Sequence, residues 1–447
     1  MILSLLFACL TQPAETQAQD DPQALYEAGV AALKAKEAED AEAKLAACVA
    51  VAPTKTECHW ELGWAHWLQG DWDATVSAWE QVKALQPDHP QVDQYLPTAM
   101  GHLETEAMVA KAAAGAPDTV KGQAPEGTTL RLRAVGDVML GTDFPKGKLP
   151  PNDGKDMLTA VQDMLADADL TFVNLEGPLC DGGSTNKCGS SGNCYAFRSP
   201  TRYGDYLAQA GVDLASTANN HAGDFGESCR LETESTLDAL GIAYSGRPGT
   251  IASVESNGLK VAMLGFHSSK SCHYINDHET AAELVRALDA THDIVIVSFH
   301  GGAEGSKALH VPDQMETFYG EQRGHLRKFT HVVVDAGADL VLGHGPHVPR
   351  AMEVYNDRLI AYSLGNFATY GRFNLSGYLG VGLVLEVELD SQGRFVGGQI
   401  LPTKQIGEGV PEPDPDHKAT DLIRKLSRED FPSSGVVVAQ DGSLGKR

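Results

Sequence analysis

The 447-residue sequence predicts a layered α/β domain preceded by a small all-α domain. Two observations carry that expectation. Residues 22–111 are helix-rich in composition and repeat with a period of 34 residues. Beyond them, short β-rich apolar runs alternate with longer helix-compatible segments, the pattern of strands in a layered α/β domain. A hydrophobic content of 42% is enough for two domains. A formal net charge of −25 argues against a nucleic-acid partner, because phosphate binding needs a basic face.

Met1–Ala8 is apolar and is followed by Cys9. Leu6-Phe7-Ala8-Cys9 resembles a bacterial lipobox, in which the cysteine becomes a lipidated N-terminus. The segment is short and lacks Lys or Arg, so an ordinary signal peptide cut near Thr16-Gln17-Ala18 competes with it. Either way residues 1–20 direct export. The expected address is the cell envelope or periplasm, with a lipid anchor at Cys9 holding the chain to the outer membrane as its one membrane contact. No later stretch is long and apolar enough to span a bilayer. Eight cysteines fit an exported chain.

Residues 21–111 resemble tetratricopeptide repeats. Ala28-Gly29 recurs as Leu62-Gly63, Ala41 as Thr75, Leu45 as Trp79 and Pro53 as Pro87. Small residues let paired helices pack closely, and residues 91–111 would form a capping helix. All five Trp fall in the second repeat, with Trp60, Trp64 and Trp67 on one helical face. Interhelical packing is the plain reading; an aromatic groove for a peptide or glycan strand is the sharper one. Residues 112–128, rich in Ala, Gly and Pro, read as a linker.

The second domain, expected over 129–405, contains five apolar runs that end in metal-ligand residue types. Leu130–Val135 leads to Asp137, and Leu170–Val173 to Asn174 and Glu176. Val212–Ala218 leads to Asn219-Asn220-His221, Ile294–Phe299 to His300, and Leu340–Leu342 to His344 and His347. Ligands gather where parallel strands end, and these side chains supply the O and N donors of a Zn, Mn or Fe site. A sixth run, Leu359–Tyr362, precedes Asn366, and a seventh, Val261–Phe266, precedes His267 without a supporting motif. Cys180 and Cys194 bound a Gly/Ser-rich insertion, for which a disulfide is favoured over a zinc knuckle, with connectivity left open. Residues 406–447 read as a C-terminal extension, with a short helix at 416–428 and a loose tail.

GDVMLG (136–141), NLE (174–176), NNHAGDFG (219–226), His300 with Glu304, GHGPHV (343–348) and SLGNF (363–367) together resemble the bacterial capsule-synthesis CapA family, named for poly-γ-glutamate capsule synthesis. The resemblance implies a calcineurin-like metallophosphoesterase fold. It implies two divalent or transition-metal ions, Mn, Zn or Fe: one held by Asp137, Glu176 and His347, the other by Glu176, Asn220, His300 and His344. His221 would stabilise or protonate a leaving group, with Asp224 either its partner or the cap of the next helix. Asn174, Glu304 and Asn366 are candidate substrate contacts. Asn174 also suits a loop-orienting role, Glu304 a hold on His300, and Asn219-Asn220 and Asn366 turns. Two departures stand out: GHGPH replaces the family's frequent GHHPH, and His300-Gly301-Gly302-Ala303-Glu304 replaces an aromatic-rich HWGxE. In the wider superfamily a histidine stands where this chain has Met139. The expected activity is hydrolysis of an anionic polymer or a phosphoester. The alternative is a non-catalytic capsule-assembly or polymer-tethering factor that recruits a protein partner through its helical repeats.

Overall fold

The computed structural model describes residues 21–115, 121–185, 187 and 195–447. Cys9 and the rest of the expected export signal, as well as Cys188 and Cys194, lie outside the described residues. The chain divides near Ala107 into two compact units. Among the described residues no helix is long and apolar enough to cross a membrane.

The first unit is built from α1 (Pro22–Ala35), α2 (Ala38–Val51), α3 (Thr56–Gln69), α4 (Trp72–Leu85) and α5 (Val92–Gly115). The helix starts of α1 and α3, and of α2 and α4, are 34 residues apart, matching the sequence period. The reason is steric. A Cβ on Gly29 would stand 2.5 Å from Leu45 Cγ, and one on Gly63 would stand 2.1 Å from Trp79 Nε1, so both hairpins close at the same repeat position. Cys48–Cys58 ties α2 to α3. The tryptophans pack rather than line a groove. Trp79 is fully buried, stacks on Trp60 with ring centroids 5.2 Å apart, and donates its indole N–H to Trp60 O at 3.1 Å. The expected linker is partly helical, since α5 runs to Gly115.

Two sheets make the second unit. The first contains β1 (Thr129–Met139), β2 (Leu170–Leu175), β3 (Leu214–Ser216) and β4 (Ala243–Ser245), all parallel. The second begins with β5 (Ala252–Ser256), β6 (Leu259–His267), β7 (His273–Tyr274) and β8 (Ile294–His300). A small separate hairpin, β9 (Thr317–Phe318) and β10 (Glu321–Gln322), follows. The second sheet is completed by β11 (Leu340–His344), β12 (Met352–Tyr355) and β13 (Arg358–Ala361), in the order β12-β13-β11-β8-β6-β5. The chain then returns to the first sheet through β14 (Asn366–Thr369), β15 (Val381–Asp390), β16 (Phe395–Ile406), β17 (Val410–Pro413), β18 (Val437–Val438) and β19 (Ser443–Gly445).

The layers run helix–sheet–sheet–helix. Leu132, Phe172 and Leu214 of the first sheet meet Val261, Ile296 and Leu342 of the second in one core. Outside the first sheet lie α6 (Gln162–Ala166), α7 (Gly204–Gln209) and α8 (Gly226–Leu240), packed through Leu165, Leu207 and Leu237. Outside the second lie α9 (His278–Asp289) and α10 (Leu326–Asp335), packed through Leu284, Leu288, Phe329 and Val333. Inner strands covered on both faces explain why β6 and β8 read as unbroken apolar runs.

The expected loose tail is a correction. Helix α11 (Lys418–Asp430) buries Ala419 and Ile423 in the inter-sheet core, and β19 pairs with β16. Its apolar residues are spaced for a helix face that docks, and that docking holds the tail.

Cys180 pairs with Cys229, 49 residues away, joining the strand-β2 loop to α8. Closing a loop of that length stabilises the fold by about 4 kcal/mol on a chain-entropy account. Cys180→Ser is expected to lower the urea midpoint accordingly, without changing the far-ultraviolet circular dichroism. Acid should act similarly. Burial pushes the His273 imidazole from 6.5 down to about 4, and its ring shares a 3.1 Å hydrogen bond with Thr250 O. The unfolded chain binds that proton first, so stability falls as pH drops from 6.5 through 4, by about 3 kcal/mol for this group. His273→Gln should flatten the slope of urea stability against pH in that window.

Candidate metal centre

The ends of six strands converge where the two sheets meet. In the first sheet, Asp137 on β1 lies in register with Asn174 on β2 and with Asn366 on β14. In the second, His300 on β8 lies in register with His344 on β11 and with His267 on β6. Gly136 makes the first alignment feasible. A Cβ there would stand 1.9 Å from Gly365 O, the same oxygen that accepts the Asp137 N–H at 2.9 Å. Gly345 serves backbone against backbone in the second sheet, where a Cβ would stand 2.5 Å from Gly301 O. These glycines therefore bring main chains together.

Asp137, Glu176 and His300 are buried, and each offers a ligand atom within 4.8 Å of the others. His347 adds its Nδ1, 2.8 Å from Asp137 Oδ2 and 3.1 Å from Asn366 Oδ1, which leaves Nε2 directed at the cluster, 3.9 Å from Glu176 Oε1. It adopts a left-handed φ of 61°, rare for a residue with a side chain and common where backbone strain serves a site. His344 donates Nε2–H to Val135 O at 3.2 Å, so its Nδ1 is the free nitrogen. Asn174 is fully buried, and its amide donates to Asp137 Oδ1 at 2.8 Å. Asn219, one residue before Asn220, donates to Leu175 O at 2.9 Å and accepts the His221 N–H at 3.1 Å.

Five buried polar atoms of this cluster have no hydrogen-bond partner: both Glu176 carboxylate oxygens, Asn220 Oδ1, His300 Nε2 and His344 Nδ1. Buried groups normally find partners, and an unpaired buried carboxylate is costly. All five are lone-pair donors of the kind a divalent cation takes. The donor set therefore fits a metal ion. The electrostatics agree. Burial, reinforced by Asp137, pushes the Glu176 carboxyl well above its usual range. Burial holds His300 well below its usual range and lowers His344. It would lower His347 too, but Glu176 and Asp137 outweigh it and carry that imidazole up to about 10. Across the 3.9 Å between them, Glu176 thus raises the proton affinity of His347, while His347 lowers that of Glu176.

His221 stands beside this cluster, its Nε2 3.8 Å from Glu176 Oε1. Its Nδ1 is 2.7 Å from Asp224 Oδ2, and Phe197 stacks on its ring at 4.0 Å. Asp224 also accepts Phe197 N–H and Lys187 Nζ–H, and α8 begins at Gly226 after Phe225, so Asp224 is not that helix's cap. Glu304 does not reach His300 in any hydrogen bond; it takes a 2.6 Å ion pair from Arg323. Arg323 is buried at the cleft wall, and no motif in the sequence pointed to it. Arg198 is engaged by Asp143 at 2.8 Å. Met139 is buried with its Sδ accepting the Gly141 N–H. His267 packs edge-on to His300, but its nitrogens already meet Ser268 and Ser269.

The domain is a helix–sheet–sheet–helix α/β fold with a candidate metal site of buried carboxylate, amide and imidazole groups at its strand ends. The comparisons with known proteins say which family carries it. Residues 131–370 match the family described as bacterial capsule synthesis protein PGA_cap, and the chain belongs to that family. The PGA biosynthesis protein CapA of Bacillus subtilis (strain 168) is 26% identical over 351 residues, covering 74% of this chain and 86% of that protein. The capsule biosynthesis protein CapA of Bacillus anthracis is 25% identical over 254 residues, covering 54% of this chain and 60% of the relative. A probable polyglutamine synthesis accessory protein of Mycobacterium tuberculosis (strain ATCC 25618 / H37Rv) is 24% identical over 281 residues, covering 53% and 66%.

The orphaned donors predict a thermal response. Manganese or zinc at about a hundred times its dissociation constant should raise stability by about 3 kcal/mol. Glu176→Gln should abolish that rise in the melting temperature, because it removes the charge the cation offsets.

Proposed function

We propose that the chain is an exported protein of capsule or poly-γ-glutamate-type polymer synthesis whose second unit is a two-metal hydrolase of a phosphoester or of the exported polymer. The observation that carries the chemistry is the set of five partnerless buried donors. In this reading Asp137, Glu176 and His347 hold one ion through His347 Nε2. Glu176, Asn220, His300 and His344 hold the other. When bound, the ions supply positive charge that polarises the scissile group and acidifies water.

The protein's own residues do the rest. Asn174 and Asn366 fix Asp137 and His347, which makes both positioning residues. Burial pushes His221 down to about 4 although Asp224 opposes it, so the ring is neutral near pH 7. With Asp224 accepting Nδ1–H, the tautomer assigned by that bond leaves Nε2 as an acceptor. His221 therefore takes a proton from the attacking water and passes it to the departing oxygen, rather than holding a proton in advance as the sequence suggested. Phe197 keeps the ring plane turned toward the cluster.

His221→Ala should keep metal affinity and lose turnover of bis(p-nitrophenyl) phosphate by about 100-fold or more. His344→Ala should lose metal affinity by about 10-fold or more, since even outer hydrogen-bonding partners of ligands cost that much. Elemental analysis and steady-state rates on both variants test the pair, and equal metal loss in the two would overturn the division of roles.

A further inference from the structure

The cleft above the cluster has a volume of about 680 Å³ and two kinds of wall. One is cationic, with Lys187, Arg323 and Arg372. The other is an aromatic rim, where Tyr195 is 53% exposed and Tyr319, at the tip of the β9–β10 hairpin, is 94% exposed. Single exposed aromatics are ordinary, but two on the rim of one cleft are a binding feature.

Two of the three cations are already paired with carboxylates, and the third, Arg372, lies over one face of the Tyr195 ring, 5.2 Å from its centroid. Lys187 pairs with Asp224 at 2.6 Å, and Arg323 pairs with Glu304 at 2.6 Å and with Glu321 at 3.1 Å. Glu304 and Glu321 themselves line the cleft. A chain with one carboxylate per residue would meet paired cations, two lining carboxylates and a protein of net charge −25. A ligand with one concentrated anionic group and a neutral body meets less of that repulsion, because it brings one charged group to the cleft and not one per residue. Its anion sits at the metal-binding donors, and its body reaches the rim. Phenol faces there stack on a flat apolar ring face, and the lining carboxylates accept hydroxyl donors.

We infer that this cleft takes a saccharide bearing a phosphate or phosphodiester, with the sugar ring on Tyr195 and Tyr319, and not a polyglutamate chain. The inference deepens the proposed function and rests on its metal-dependent site.

The test is calorimetric binding to the metal-reconstituted full chain, with three probes at one ionic strength: inorganic phosphate, glucose 1-phosphate and a γ-linked glutamate hexamer. Glucose 1-phosphate should bind about 10-fold tighter than inorganic phosphate, the size of one stacking contact. The glutamate hexamer should bind more weakly than either. Tyr195→Ala combined with Tyr319→Ala should bring glucose 1-phosphate down to the level of inorganic phosphate; both side chains are exposed, so the fold is spared. Equal affinity for the two phosphates in the unmodified protein, a sugar advantage that survives the double substitution, or tighter binding of the hexamer would each overturn the inference. Repeating the phosphate titration after chelation separates the two readings. Affinity unchanged by chelation would sink the metal site, while the ratio of glucose 1-phosphate to phosphate still reports on the rim.

Discussion

Much of the second unit turns on how one buried carboxylate is compensated. Glu176 is fully enclosed, neither of its oxygens meets a donor, and Asp137 lies close enough to raise its proton affinity further. Burying a charge in this way is tolerated when a cation or a proton offsets it. The surrounding histidines are arranged for both. Glu176 and Asp137 raise the proton affinity of His347, while burial lowers that of His300 and His344, whose Nε2 and Nδ1 meet no hydrogen-bond partner. The cluster is thus stable enough to fold and still open to a metal ion.

Sheet register provides the precision. Parallel strands advance together, so residues at the same level of β1, β2 and β14, or of β6, β8 and β11, emerge side by side. Each sheet contributes half the donors: oxygens come mainly from the first, nitrogens from the second. The inter-sheet core of Leu132, Phe172, Ile296 and Leu342 holds those halves at a fixed separation. Loss of packing in that layer would move every donor at once, which ties the chemistry to the core.

Motif order was legible because ligand types follow apolar runs, a pattern that survives without knowledge of which strands are neighbours. The seven runs that ended in candidate residues all form strands, and the helical period of 34 reappears as two closely packed hairpins. What misled was local composition. The charged, proline-rich approach to α11 reads as a free extension, yet the helix face spaced through Ala419, Leu422, Ile423 and Leu426 packs into the cores. The tryptophans read first as interhelical packing, which the structure bears out, but the groove stayed open because a helical face does not say what covers it.

The sequence by itself determined the donors, their order and the strands that carry them, since residue type and hydrophobic period are local properties. Only the tertiary structure decided that β1, β2 and β3 belong to one sheet and β8 and β11 to another, that Cys180 meets Cys229, and that Arg323 is latched by Glu304. Those facts depend on contacts between residues far apart in the chain. Arg323 follows a short hairpin 23 residues after His300, with no periodicity to mark it. Its place beside the cluster comes from the fold of the intervening loop, where Arg323 N–H donates to Glu316 O at 2.8 Å, Glu316 N–H donates to Gly324 O at 2.9 Å and Gly302 N–H donates to Arg323 O at 2.8 Å.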